Sequence, residues 1–122
     1  PGRGQTTFVP RLEVWDAALG SVLSLSAARF AAGWETLEEA QGRKHRQLLE
    51  LLQPKPRQHI LDMGCGFGAL LEHIVQERPL LRATGVTPCA LQAAVCLGRL
   101  PPSQDSRVRC LEEALLRHEG RY

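Results

Sequence analysis

Residues 60–68 read Ile60-Leu61-Asp62-Met63-Gly64-Cys65-Gly66-Phe67-Gly68, and they carry the strongest indication of a fold class. It predicts a buried strand that ends in an acidic residue, then a loop with three glycines, then a helix. Glycine has no Cβ atom, so it lets the backbone turn sharply and lets a ligand contact the main chain. A loop of this kind at the carboxyl end of a parallel strand is where open α/β sheets bind nucleotide-like ligands. The stretch therefore predicts a nucleotide-cofactor domain.

The segments that follow alternate between strand and helix patterns. Strands are predicted at residues 59–63, 81–86 and 107–111, and helices at about 68–78, 87–97 and 112–118. Thr87 is expected to cap its helix, Gly98 to end it, and residues 101–103 to form a turn. This alternation implies right-handed crossovers and a Rossmann-like, doubly wound parallel sheet. Three strands are fewer than a complete sheet of this type has, so the first half of such a domain is expected.

The N-terminal third is predicted to be helical. A helix is expected at residues 12–20, ending at Gly20, whereas residues 21–35 fit either a helix or an ordered loop. Thr36-Leu37-Glu38-Glu39 is a capping box that begins the next helix, which Pro54 and Pro56 end. Its apolar stripe is expected to face the core and consists of Leu37, Ala40, Leu48, Leu51 and Leu52. The predicted division is an N-terminal helical segment, 1–53, and the first half of the cofactor domain, 54–122, within one structural domain.

Composition and charge exclude several classes of function. The 122 residues are 43% hydrophobic and 23% charged, and 15 basic residues against 13 acidic ones give a net charge of +2. This balance does not indicate a nucleic-acid partner. No apolar run is long enough to span a membrane, and no signal peptide is predicted, so a cytoplasmic location is expected. The chain does not begin with methionine, which leaves a fragment, a processed product or an excised domain open.

The cysteines and histidines do not predict a metal site. No two of the four cysteines (Cys65, Cys89, Cys96 and Cys110) have the close spacing of a zinc knuckle or a redox motif. Small buried or half-buried thiols in a reducing compartment are expected. The four histidines are scattered along the sequence, and each is expected to be a surface or satisfied residue.

A dinucleotide is the alternative cofactor. Gly64, Gly66 and Ala69 fit a loose G-x-G-x-x-A pattern. That fingerprint also requires an acidic residue about twenty positions later, to hold the ribose hydroxyls. Residues 85–87 occupy that region and read Gly-Val-Thr, so the flanking sequence argues against a dinucleotide.

Four motifs in order resemble one family of enzymes. Residues 61–68 look like the first motif of class I S-adenosylmethionine-dependent methyltransferases, L-D-x-G-C-G-x-G. Residues 36–41, Thr-Leu-Glu-Glu-Ala-Gln, and residues 85–87 followed by Gln92 resemble the cyclopropane-fatty-acid and mycolic-acid synthase branch of that class. Residues 25–30, Leu-Ser-Ala-Ala-Arg-Phe, stand where the branch has Y-S-C-A-Y-F. The resemblance covers about residues 18–115.

The resemblance implies S-adenosylmethionine as the cofactor and assigns roles to several residues. The backbone of Gly64, Cys65 and Gly66 would lie against the methionine part of the cofactor. Asp62 would orient this loop and the bound zwitterion. The alternative is that Asp62 only caps the following turn.

Other roles implied by the resemblance concern the sugar, the base and the closing segment. Thr87 and Gln92 would contact the ribose, in place of the missing acidic residue. Leu25 and Ser26 would close over the cofactor, and the segment containing Leu111 and Glu112 would lie near the adenine. Thr87 as a simple helix cap and Ser26 as a structural residue are the alternatives.

The resemblance implies transfer of a methyl or methylene group to a lipid or small-molecule acceptor. Leu25 and Ala27 replace a tyrosine and a cysteine of the branch, which weakens the case for cyclopropane formation. No catalytic base is evident, because no histidine or carboxylate other than Asp62 falls at a motif loop. The remaining half of the sheet would come from a C-terminal segment or a partner chain. A catalytically inactive, truncated binding module is the alternative function.

Overall fold

The computed structural model describes residues 11–101 and 107–122. Two helices come first, α1 at Leu12–Leu19 and α2 at Leu37–Leu52. Strands and helices then alternate in the order β1, α3, β2, α4 and β3, and a short 3₁₀ helix follows β3. Their bounds are His59–Met63, Ala69–Glu77, Arg82–Thr87, Ala90–Arg99 and Val108–Glu112, with the 3₁₀ helix at Leu115–Arg117.

The three strands form one parallel sheet in the order β1-β2-β3. The register places Asp62 opposite Gly85 and Thr87 opposite Glu112, so the loops after all three strands leave the same edge of the sheet. This arrangement confirms the predicted α/β class with a partial, doubly wound parallel sheet.

The core lies between the sheet and the helices that connect its strands. Leu71 and Ile74 of α3 and Ala83 of β2 are fully buried. Leu49 joins the same cluster, so α2 packs against α3 and shares the core of the sheet.

The predicted helix boundaries in the N-terminal third are confirmed. Gly20 ends α1 with a φ of +64°, a conformation that favours glycine. At the start of α2 the Thr36 hydroxyl accepts from the Glu39 N–H at 3.2 Å, and the Thr36 N–H donates to Glu39 Oε2 at 2.8 Å. This is the predicted capping box. Residues 21–35 form turns and bends rather than a helix.

The predicted core stripe of α2 is right for Ala40, which is buried, and wrong for the leucines of the second half of the helix. Leu51 and Leu52 are 82% and 60% exposed, and Leu48 is 40% exposed. The helix turns a different face inward, and its buried residues are Ala40, Gln41, His45 and Leu49. Two of these four side chains are polar, and a pattern that scores only apolar residues cannot find such a face.

Three further boundaries differ from the prediction. Thr87 ends β2 instead of capping a helix, because its carbonyl accepts from the Glu113 N–H at 3.0 Å and so extends the pairing with β3. Helix α4 begins at Ala90 and continues through Gly98. The predicted helix 112–118 is a single 3₁₀ turn. The predicted turn at 101–103 lies mostly outside the described residues.

None of the helices in the described ranges, 11–101 and 107–122, has the length and apolar character that crossing a bilayer requires.

Candidate functional site

A pocket of about 210 Å³ lies beside the glycine loop. Its walls come from the loop after β1, from helix α2 and from residues 23–26. Six residues singled out in the sequence line it: Leu25, Ser26, Asp62, Gly64, Cys65 and Gly66. The fold therefore brings together residues that are far apart along the chain.

The loop after β1 needs its glycines. Gly64, Gly66 and Gly68 have φ angles of +85°, +57° and +83°, in the left-handed region that other residues rarely adopt. The N–H groups of Gly64 and Cys65 both donate to the Val86 carbonyl, at 2.8 and 3.1 Å. These two hydrogen bonds anchor the loop to β2. The glycines have no side chains, so a ligand can approach the main chain of the loop closely.

Two side chains of α2 hold the opposite wall in place. The Gln41 amide donates to the carbonyls of Ser24 and Ser26, at 3.3 and 2.9 Å. The Lys44 ammonium donates to the hydroxyls of the same two serines, both at 2.8 Å. The segment before them contains Leu23, a buried non-glycine residue with a φ of +52°, and this strained conformation persists because the surrounding contacts hold it.

The ionisable groups around the pocket have shifted pKa values. Burial raises the pKa of Asp62, and the negative charge of Cys110 adds to the rise. Burial lowers the pKa of Lys44. Burial, with Lys44 and His73 nearby, lowers the pKa of His45 to about 4, so its imidazole is neutral at pH 7. An acid and an ammonium group that each lack full solvation thus line one small pocket.

Thr87, Gln92 and Glu112 lie outside this pocket. Thr87 is fully buried at the end of β2, and its hydroxyl donates to Gln92 Oε1 at 2.7 Å. The same hydroxyl accepts from the Cys89 N–H at 3.3 Å. Glu112 pairs with Thr87 in the sheet register. These three residues share the carboxyl edge of the sheet with the pocket, and their predicted ribose and adenine contacts stay predictions.

The Cys65 thiol points into the protein rather than into solvent. Its Sγ atom lies 3.8 Å from Cys110 Sγ, and Cys96 completes a group whose three sulfur atoms lie within 4.8 Å of one another. Hydrogen bonds from the thiols of Cys65 and Cys96 lower the pKa of Cys110. The hydrogen bond that Cys65 makes to Cys110 raises the pKa of Cys65.

The profile of the family described as mycolic acid cyclopropane synthetase matches residues 12–110. The chain belongs to this family. Its members are S-adenosylmethionine-dependent methyltransferases, so the predicted resemblance is confirmed.

Relatives within and around the family share both sequence and structure with this chain. The chain is 34% identical over 103 residues to N-methyltransferase 4 of Papaver somniferum, a match that covers 84% of this chain and 29% of that enzyme. A coclaurine N-methyltransferase bound to N-methylheliamine and SAH superposes with a TM-score of 0.82 at 28% identity, over 92% of this chain and 33% of the other. A mycolic acid cyclopropane synthase in complex with SAH and CTAB gives a TM-score of 0.74 at 28% identity, over 83% and 35%. The chain thus spans about a third of the length of these methyltransferases.

Sequence reasoning missed several residues of the pocket wall. Ser24, Gln41, Lys44 and His45 were not predicted to be site residues, although Gln41 ends the cyclopropane-synthetase-like motif at residues 36–41. The motif itself was the available signal, because its first residues form the helix cap and its last one holds the serine segment.

Proposed function

We propose that the pocket binds the amino-acid end of S-adenosylmethionine, and that the protein of which this chain is a part transfers a methyl group from it. The observation that carries the proposal is the joint placement of Asp62, the glycine loop and the Leu25–Ser26 segment around one cavity. The family membership supports the choice of cofactor.

The residues of the pocket fit an amino-acid zwitterion. The Asp62 carboxylate suits the cofactor ammonium group, and the Lys44 ammonium suits its carboxylate. Both protein groups have pKa values displaced by burial, and a bound opposite charge would offset that cost. A volume of about 210 Å³ is below that of most sites for drug-sized ligands, which favours part of the cofactor over all of it.

The nucleoside would then extend along the carboxyl edge of the sheet. Gln92 and Glu112 lie at that edge, and we propose that they contact the ribose and the adenine. Thr87 is buried behind Gln92, and we propose that it serves the ribose contact by holding the Gln92 amide in position. The hydrogen bond between Thr87 and Gln92 orients both polar groups before any ligand arrives, and such preorganisation lowers the cost of binding.

Bound S-adenosylmethionine supplies a methyl group on a sulfonium and thus both the electrophile and the leaving group. The chain's own residues have to bind it, align it and keep water away. His45, an imidazole in the pocket wall, has a pKa lowered to about 4, so it is neutral at pH 7 and a weak proton acceptor.

We propose a lipid or a small molecule as the acceptor, because the relatives include N-methyltransferases and a mycolic acid cyclopropane synthase. Leu25 and the exposed Ala27 stand where the branch has tyrosine and cysteine, which favours methyl transfer over ring formation. Because the relatives are about three times as long, we propose that further chain completes the sheet beside β1 and supplies acceptor contacts. Four free thiols support a reducing, cytoplasmic location.

Calorimetry with three ligands tests the cofactor. We expect the 122-residue chain to bind S-adenosylmethionine and S-adenosylhomocysteine and not NADPH. A folded chain that binds none of them would support an inactive binding module instead, and binding of NADPH alone would support a dinucleotide enzyme.

An Asp62→Asn variant tests the orientation of the ligand. It should bind S-adenosylhomocysteine at least about ten-fold more weakly, a loss of about 1.4 kcal/mol. Its affinity for 5′-methylthioadenosine, which lacks the amino-acid end, should stay unchanged. Asp16→Asn on the exposed face of α1 is the matched control. Equal losses for both ligands would contradict the placement of the amino acid beside Asp62.

A further inference from the structure

Three cysteines from three different elements meet under the glycine loop. Cys65 follows β1, Cys96 lies in α4 and Cys110 lies in β3. Their sulfur atoms all lie within 4.8 Å of one another, and Cys65 and Cys110 are 3.8 Å apart. Cys96 and Cys110 are buried and Cys65 is half-buried. The long separations along the chain explain why no spacing motif predicted this group.

Two glycines make room for the sulfur atoms. A Cβ atom on Gly68 would lie 2.3 Å from Cys96 Sγ, and one on Gly85 would lie 2.7 Å from Cys65 Sγ. Side chains at either position would push the sulfurs out of their present places. The cluster therefore depends on the backbone around it as well as on the three cysteines.

The separations suit a metal ion. Zinc binds thiolate sulfur at about 2.3 Å, which places two ligand sulfurs about 3.8 Å apart in a tetrahedron. The separation of Cys65 and Cys110 equals that value, and small shifts would bring Cys96 to the same distance. Thiolates select soft or borderline ions such as Zn²⁺ over hard ions such as Mg²⁺.

We propose that Cys65, Cys96 and Cys110 form a tri-thiolate site for one thiophilic divalent ion of the zinc class. Each thiol gives up its proton to solvent when its sulfur coordinates the ion. A water molecule or an external ligand takes the fourth position of the tetrahedron. Such an ion would tie the glycine loop to α4 and β3. The inference stands on the cysteine geometry and does not rest on the proposed cofactor.

Titration with Cd²⁺ tests the site, because cadmium thiolates absorb in the ultraviolet. The probe is Cd²⁺ alone, added to the reduced 122-residue chain in a non-thiol reductant. We expect a thiolate-to-metal band that saturates at one equivalent and a rise in Tm. Zn²⁺ bound first should raise the concentration of Cd²⁺ needed to produce the band, because both ions would compete for the same thiolates.

Variants decide which thiols bind. Cys65→Ser, at the half-buried position, should weaken Cd²⁺ binding at least ten-fold and abolish the rise in Tm, while circular dichroism shows a folded chain. Cys110→Ala should weaken Cd²⁺ binding to a similar extent. If Cys110→Ala does not fold, the result for Cys65→Ser alone tests the site. Cys89→Ala, which removes the one cysteine outside the cluster, should bind Cd²⁺ like the parent. No band from the folded parent, or a band unchanged in Cys65→Ser, would overturn the proposal.

Discussion

Replacing Gly66 by alanine should separate cofactor binding from stability. Gly66 has a φ of +57°, and alanine in that conformation costs roughly 1–2 kcal/mol. The added Cβ meets no obstacle in the protein, because its nearest neighbour, Leu25 Cδ1, would lie at an ordinary contact distance of 3.6 Å. The fold should therefore lose only about 1–2 kcal/mol of unfolding free energy.

Cofactor binding should suffer more than the fold. The new methyl group lies on the wall of the pocket beside Leu25, where the main chain would otherwise contact the ligand. We expect affinity for S-adenosylhomocysteine to fall by well over ten-fold, or more than about 1.4 kcal/mol. Urea denaturation measures the first quantity and calorimetry the second.

Gly98→Ala is the matched control for this substitution. Gly98 lies inside α4, and a Cβ there has no other atom within 4 Å. The control should gain about 0.5–1 kcal/mol of stability and leave affinity unchanged. A folded Gly66→Ala variant with the affinity of the parent would refute the placement of the ligand against this loop.

Three further predictions concern stability. Gly68→Ala should lower the free energy of unfolding, measured by urea denaturation, by about 3 kcal/mol. Alanine is strained in the left-handed conformation of this position, and its Cβ would clash with Cys96 Sγ. A loss below about 1 kcal/mol would contradict that packing. His45 has a pKa of about 4 in the folded chain against 6.5 in the unfolded one, so the free energy of unfolding should fall by up to about 3 kcal/mol as the pH drops from 6.5 to 4. Urea denaturation of His45→Gln across that pH range should lack this loss. The same pH dependence in His45→Gln would show that His45 is not its cause. Thr36→Ala should lower the free energy of unfolding by about 1 kcal/mol, since it removes the cap on Glu39, whereas an unaltered denaturation midpoint would count against the capping box.

Local signals explain why much of the fold was predictable. The strand before Gly64 and the capping box at Thr36 both depend on residues that are close together in sequence, and the structure contains both. The one-residue shift at Thr87 arose because pairing with β3, a long-range contact, extended the strand. Tertiary pairing overrides local preferences at such boundaries.

The site was only partly predictable, because some of its residues meet only through long-range contacts. The glycine loop and Asp62 belong to one motif, whereas the wall formed by Ser24 depends on side chains of α2 reaching across to another segment. Gln41 and His45 are polar and buried, so an apolar stripe gave the wrong face of α2. The cysteine cluster likewise exists only after three elements pack together.

An amide NMR titration of the 122-residue chain with S-adenosylhomocysteine shows directly where the ligand binds. Binding of the amino-acid end in the pocket predicts saturable shifts at Ser26, Cys65 and Gly66, larger than those on the outer face of α1. Saturable shifts confined to residues remote from these three would contradict the account.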